Sequence, residues 1–147
     1  MASGIVVAGD CRSIFEEIRK SKQHRYVIFM IKEERQIDVE VVGTRDASYD
    51  DFLQDLRKGG AEECRYAVYD YAYQHRCQGT SSCLKEKLFL MLWCPMQAKI
   101  KDKMLYSSSF AALKKEFNGV QKYIQATELD EACRECVEEQ LRVSDRD

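Results

Sequence analysis

The chain has 147 residues, 45% hydrophobic and 33% charged, with a formal charge of −2. That length fits one domain able to bury roughly 70% of the surface its unfolded form exposes, and the charge excludes a global attraction to nucleic acid or anionic membranes. The longest apolar runs, Tyr26 to Ile31 and Leu88 to Cys94, fall far short of the ~20 residues of a bilayer span, and no charged-then-apolar leader precedes Gly4, so a cytosolic protein is expected.

Cys11, Ile14, Phe15 and Ile18 follow the i, i+3, i+4, i+7 spacing of one helix face, with Asp10 placed to cap the first amides. The apolar block Tyr26 to Ile31 predicts a strand covered on both faces. Ile37, Val39 and Val41 alternate with Asp38 and Glu40, which predicts a strand covered on one face and a hairpin through Lys32 to Gln36. Tyr49, Phe52, Leu53 and Leu56 predict a second helix that starts at a Ser48/Asp51 capping box and stops at Gly59-Gly60. Arg65 to Tyr73 and Lys85 to Trp93 read as long central strands joined by a polar linker, Gln74 to Ser82.

Behind Pro95, the chain's only proline, a helix is expected from about Ala98 to Phe117. It carries two apolar faces: Ile100 with Met104, and Tyr106 with Leu113 and Phe117. A bend at Ser107 to Ser109, whose hydroxyls can bond back to the preceding turn, would bury both. Spacing also buries Phe110. Val120 to Ala126 reads as a short strand. Thr127 and Asp130 cap a last helix whose inner face holds Leu129, Cys133, Cys136, Val137 and Leu141, before a loose tail at about 144–147. Strands interspersed with helices predict an α/β (mixed α+β) domain, one mixed sheet sandwiched by helices.

Trp93-Cys94-Pro95, followed by Ala98-x-x-Lys101-x-Lys103-Met104-x-Tyr106-x-Ser108-Ser109, resembles the signature of the actin-depolymerising factor/cofilin family. The amino-terminal Met-Ala-Ser-Gly, the segment Glu63 to Asp70 and the segment Gly119 to Thr127 are similar to family members too, so the resemblance spans essentially the whole chain. The short Ile31 to Gln36 connection lacks the basic insertion of vertebrate relatives, as in an insect-like animal representative. The resemblance implies a single ADF-homology (gelsolin-like) domain over residues 1–147, with a five- to six-stranded central sheet and a flexible start at about 1–5. It implies a monomeric cytoplasmic protein, present also in the nucleus, that binds actin monomers and the sides of ADP-actin filaments, severs them and promotes turnover.

Residue by residue, the resemblance places actin contacts for monomer and filament at Ser3, Gly4, Lys101, Lys103, Met104, Lys114 and Lys115. Contacts made only in filaments fall at Lys85, Lys87 and Glu139. Ser3 matches the regulatory phosphorylation site, where phosphate adds roughly −1.5 to −2 charges against an acidic partner. Phosphatidylinositol bisphosphate is implied as a competitor for Lys101, Lys103, Lys114 and Lys115. Met96-Gln97, Asp102 and Ala111 depart from the family's commoner residues. They keep open a coactosin-like module that decorates filaments without severing. Several relatives carry lysine where this chain has Phe110.

Read on charge alone, the lysines of this helix are a solvated face, and Met104 divides between core packing and an adaptable contact. The seven cysteines, odd in number and without secretory context, are expected to be reduced packing residues. Cys133-x-x-Cys136 raises a redox or half-zinc reading, but no second pair at matching spacing accompanies it, Cys77 and Cys83 having five residues between them; neither a metal nor a cofactor is expected. His24 and His75 lie in no nucleophile-activating motif, and Gly59-Gly60 follows a helix instead of opening one, so no enzyme is expected; a cysteine-dependent redox enzyme is the remote alternative.

Overall fold

The computed structural model describes residues 4–76 and 82–143. A mixed six-stranded sheet runs in the order β1-β3-β2-β4-β5-β6. The central strands β2 (His24–Lys32), β3 (Gln36–Thr44), β4 (Arg65–Arg76) and β5 (Ser82–Trp93) are antiparallel. Both edges are parallel pairs, β1 (Val6–Val7) on β3 and β6 (Lys122–Ala126) on β5. The helices α1 (Gly9–Arg19) and α3 (Ile100–Glu116) cover one face; α2 (Tyr49–Leu56), α4 (Leu129–Ala132) and α5 (Arg134–Val143) cover the other. This is the expected helix-flanked mixed sheet. Among the described residues no helix is long and apolar enough to cross a membrane.

The first face buries Cys11, Phe15 and Ile18 of α1 and Tyr106, Phe110, Leu113 and Phe117 of α3 or its cap, with Phe15 stacked on Phe117 at 4.6 Å. The second is aromatic: Tyr26, Tyr49, Phe52, Tyr69 and Phe89 meet one another at centroid distances of 5.0 to 6.4 Å. Offset and edge-on pairs of this kind add to plain area burial. The β2–β3 hairpin and the Ser48/Asp51 capping box both form: the Ser48 hydroxyl accepts from the Asp51 N–H at 3.1 Å, and Asp51 accepts from the Ser48 N–H at 3.0 Å.

Several expectations are corrected. Asp10 does not cap α1; Ala8 holds the N-cap position without a side-chain bond, and Asp10 sits in the first turn, where its charge suits the helix dipole. β3 is not covered on one face only. Its register slips between Ile28 and Phe29, so Val39 packs on the α1/α3 side and Val41 on the α2/α5 side, leaving Glu40 as the extra residue of a bulge. β4 and β5 pair from Gln74–Leu84 out to Arg76–Ser82, shortening the expected linker. The two-residue β1 was not foreseen.

The last helix divides in two because Cys133 is extended (φ −67°, ψ 160°) between α4 and α5. Thr127 does not cap in the ordinary sense; Glu131 Oε1 accepts its N–H at 2.7 Å and its hydroxyl at 2.8 Å. The buried residues there are Ala132, Val137 and Leu141, whereas Leu129 and Cys136 are exposed and Cys133 is half-buried.

Candidate functional site

The approach to α3 is built by the sheet. After β5 the Cys94 N–H donates to Ala126 O at 2.9 Å and the Met96 N–H to Thr127 O at 3.3 Å, while Pro95 O accepts from Ala98 N–H in a turn. Ala98 is buried, and the extended Lys99 opens the helix. Two tyrosine bonds then set the helix's rotation: Tyr106 Oη accepts from the Ile31 N–H at 2.9 Å, and the Tyr66 hydroxyl donates to Tyr106 O. Phe110 stacks on Tyr66 at 6.0 Å, which decides its burial.

Successive helix residues turn by 100°, so a helix fixed with Tyr106, Phe110 and Leu113 inward must turn Ile100 and Met104 outward. They are 75% and 67% exposed, and Met96 just before the helix is 64% exposed. The second apolar face is therefore no core face, and the helix runs unbroken from Ile100 to Glu116 without needing the bend expected at the serines. Ser108 does bond back, donating to Leu105 O at 3.1 Å. Two large apolar side chains, Ile100 and Met104, thus stand in water one turn apart on a basic helix that buries Tyr106, Phe110 and Leu113, and Met96 is exposed in the turn before it. A shallow groove beside them is lined by Lys101, Met104, Leu105 and Ser108.

Cations flank these side chains. Lys103 Nζ donates to Met96 O at 2.8 Å, which ties the ammonium to the turn before the helix. Lys101 pairs with Glu34 at 2.9 Å, with both side chains mostly exposed; the Glu34 hydrogen bond and charge raise the Lys101 pKa. Such an exposed pair is weak and easily exchanged for a partner's carboxylate. Asp102, half-buried in the first turn, favours the helix dipole. Lys114, three turns on, lies over the rings of Phe110 and Tyr123 at 4.6 and 4.8 Å, and Lys115 is exposed in the last turn. Ala111 is exposed.

Gly4 is exposed with a left-handed φ of 75° and leads into buried Ile5. Ser3 lies outside the described residues, as does Cys77. On the opposite layer, Lys87 Nζ donates to Leu141 O at 3.2 Å, tying β5 to α5, and Lys85 is half-buried two residues before it on the same strand. Glu139 is exposed on α5. The structure therefore gathers Lys101, Lys103 and Met104 into one surface, with Lys114 and Lys115 farther along the same helix, and sets Lys85, Lys87 and Glu139 elsewhere. Sequence reading assigned no contact to Ile100, which stands exposed one turn before Met104. The available signal was the second apolar face of α3, at i and i+4, that no core could share.

A family model described as "Cofilin/tropomyosin-type actin-binding protein" matches residues 4–142. Actin-depolymerizing factor 4 of Oryza sativa subsp. japonica is 34% identical over 142 residues, covering 96% of this chain and 97% of the relative. Actophorin of Acanthamoeba castellanii is 37% identical over 141 residues, covering 95% and 96%. Among solved structures, the cofilin of Streptomyces griseoflavus superposes with a TM-score of 0.80 at 33% identity, covering 93% of this chain and 96% of that one.

Proposed function

We propose, because this chain belongs to the actin-depolymerising factor/cofilin family of actin-binding proteins, that it binds actin monomers and the sides of ADP-actin filaments and severs them, promoting turnover. The observation that carries the reading is the exposed apolar pair Ile100 and Met104, with Lys101 and Lys103 beside it, on a helix whose rotation is fixed from behind. Exposed apolar side chains rimmed by charge are what a protein partner covers. The lysines steer the encounter with an acidic surface, and the apolar pair supplies area to bury.

The second group, Lys85, Lys87 and Glu139, is associated with the layer opposite α3, a separation that suits contact with a second filament subunit. A monomeric domain gripping two neighbouring subunits shifts the filament toward whichever subunit arrangement it binds better, by no more than its differential affinity, and strain then collects where bound and bare segments meet. The action is mechanical, cytoplasmic and free of catalysis. Phosphate on Ser3 opposes binding at the acidic partner, and phosphatidylinositol bisphosphate competes for Lys101, Lys103, Lys114 and Lys115.

Co-sedimentation with ADP-actin filaments, alongside a monomer-binding assay, tests this reading. The parent pellets with filaments; Ser3→Glu weakens both activities; Lys85→Glu with Lys87→Glu reduces filament binding and spares monomers. Equal loss of monomer and filament binding in the double variant contradicts the two-surface reading, and equal pelleting of Ser3→Glu contradicts the phosphoserine switch.

A further inference from the structure

The Cys133-x-x-Cys136 pair is not core packing. Cys133 occupies the N-cap position of α5: its backbone is extended and its carbonyl accepts the Val137 N–H at 3.0 Å. Cys136 is then the third helical residue. These are the two positions that exchange side-chain-to-backbone bonds in a capping box, as Ser48 and Asp51 do on α2. Here both positions carry thiols, and the neighbouring Cys133 is the largest influence that raises the Cys136 pKa. Cys133 is half-buried, Cys136 is exposed, and Cys133 Sγ also donates to Asp130 O at 3.3 Å. Residues three apart at a helix start have Cα atoms about 5 Å apart, within the span a disulfide bridges.

The other described thiols differ in access. Cys64 and Cys94 Sγ atoms lie 3.5 Å apart, yet both are buried and burial pushes the Cys64 thiol up. Cys11 is buried, bonded to Ile37 O, and pushed up to about 12 by its burial. Reaction needs a thiolate that solvent can reach.

We propose that Cys133 and Cys136 form a reversible oxidation site that exchanges with low-molecular-weight disulfides. The solvent-facing Cys136 thiolate attacks one sulfur of glutathione disulfide, breaking its S–S bond, forming a mixed disulfide and releasing one glutathione thiolate. The Cys133 thiolate then displaces the second glutathione from Cys136 and closes the internal bond. Two protein thiols are oxidised, one small disulfide is reduced to two thiols, and the two protein protons pass to the departing thiolates or to solvent. The neighbouring Cys133 raises the Cys136 pKa, so the first step accelerates as pH rises. Val137 and Leu141 are fully buried and anchor α5, whereas Cys136 is exposed, so closure leaves the fold in place. This chemistry is independent of actin.

The test is to incubate reduced full-length protein with graded glutathione disulfide, block remaining thiols and digest with trypsin. Cleavage at Arg134 separates the two cysteines, so closure appears as residues 123–134 joined to residues 135–142, lighter by two hydrogens than the separate thiol peptides. The expected result is that this joined species accumulates before Cys11, Cys64 or Cys94 is modified. In Cys133→Ser the glutathione adduct on Cys136 persists about tenfold longer or more than in the parent, because no neighbour resolves it. A lasting adduct on Cys136 of the parent, a bond from Cys136 to Cys77 or Cys83, or resistance of both thiols would each overturn the proposal.

Discussion

At the residue scale, Met104 and Phe110 stand six positions apart on one helix and do opposite work. Phe110 is buried against Tyr66, and truncation to alanine is expected to destabilise the fold by about 3–5 kcal/mol. Met104 is exposed, so Met104→Asp should leave the thermal midpoint unchanged while lowering filament affinity by about tenfold or more, the loss expected when a buried methionine contact of about 1.5–3 kcal/mol is removed. Thermal melts and co-sedimentation of both variants check this pair of outcomes. The sequence left Met104 divided between core and contact because periodicity reports that a face is apolar without reporting what covers it. What decides is a pair of long-range bonds, Ile31 N–H to Tyr106 Oη and Tyr66 Oη to Tyr106 O, which no local pattern announces. Gly43 is a parallel case: a Cβ there would collide with the Tyr26 ring, a constraint set by a cross-strand neighbour.

At the element scale, the regular pieces were legible where local chemistry suffices. The α2 capping box and the β2–β3 hairpin follow from short-range spacing, whereas the bulge in β3 does not, because it answers a partner elsewhere. Glu40, the extra residue, receives Arg65 Nε at 2.8 Å and Nη2 at 3.3 Å, and Arg65 is only 4% exposed. Burial alone would pull the Arg65 pKa down; the Glu40 hydrogen bond and charge outweigh it, and the net shift is upward. Glu40→Ala should therefore cost about 1–3 kcal/mol in urea unfolding, since Arg65 loses its closest carboxylate but keeps Glu63 at 3.5 Å and Cys64 O at 2.7 Å. On α5, Glu138 accepts from Tyr71 at 2.8 Å and from Arg142 at 3.0 and 2.8 Å. Burial raises its pKa, but these bonds prevail and the net shift is downward. A depressed folded pKa means stability that is present above the ordinary glutamate value of ~4.3 and is lost as pH falls through the lower folded value. The stability advantage of the parent over Glu138→Gln should accordingly be full at neutral pH and disappear in acid; urea melts across that range measure it, and an advantage that grows in acid would contradict the sign. The break at Cys133 was hidden because Leu129, Cys133, Val137 and Leu141 mimic one continuous helical face.

At the scale of the whole molecule, the mixed sheet holds two helical layers and so presents two separate surfaces, the α3 face with its lysines and the region around β5 and α5. The layered architecture was readable from alternating strand and helix patterns, while the family's signature through Trp93 to Ser109 pointed to the partner. The two-residue edge strand β1 escaped because a piece so short has no periodicity of its own. Under the proposed two-subunit grip, strain collects where bound and bare stretches meet, and breakage is expected there. Time-lapse fluorescence imaging of labelled ADP-actin filaments, scoring bound density and break frequency together, tests this most directly. The account predicts breaks that are most frequent at sub-saturating protein and fall off as filaments become fully covered; dense binding with no increase in breakage would contradict it.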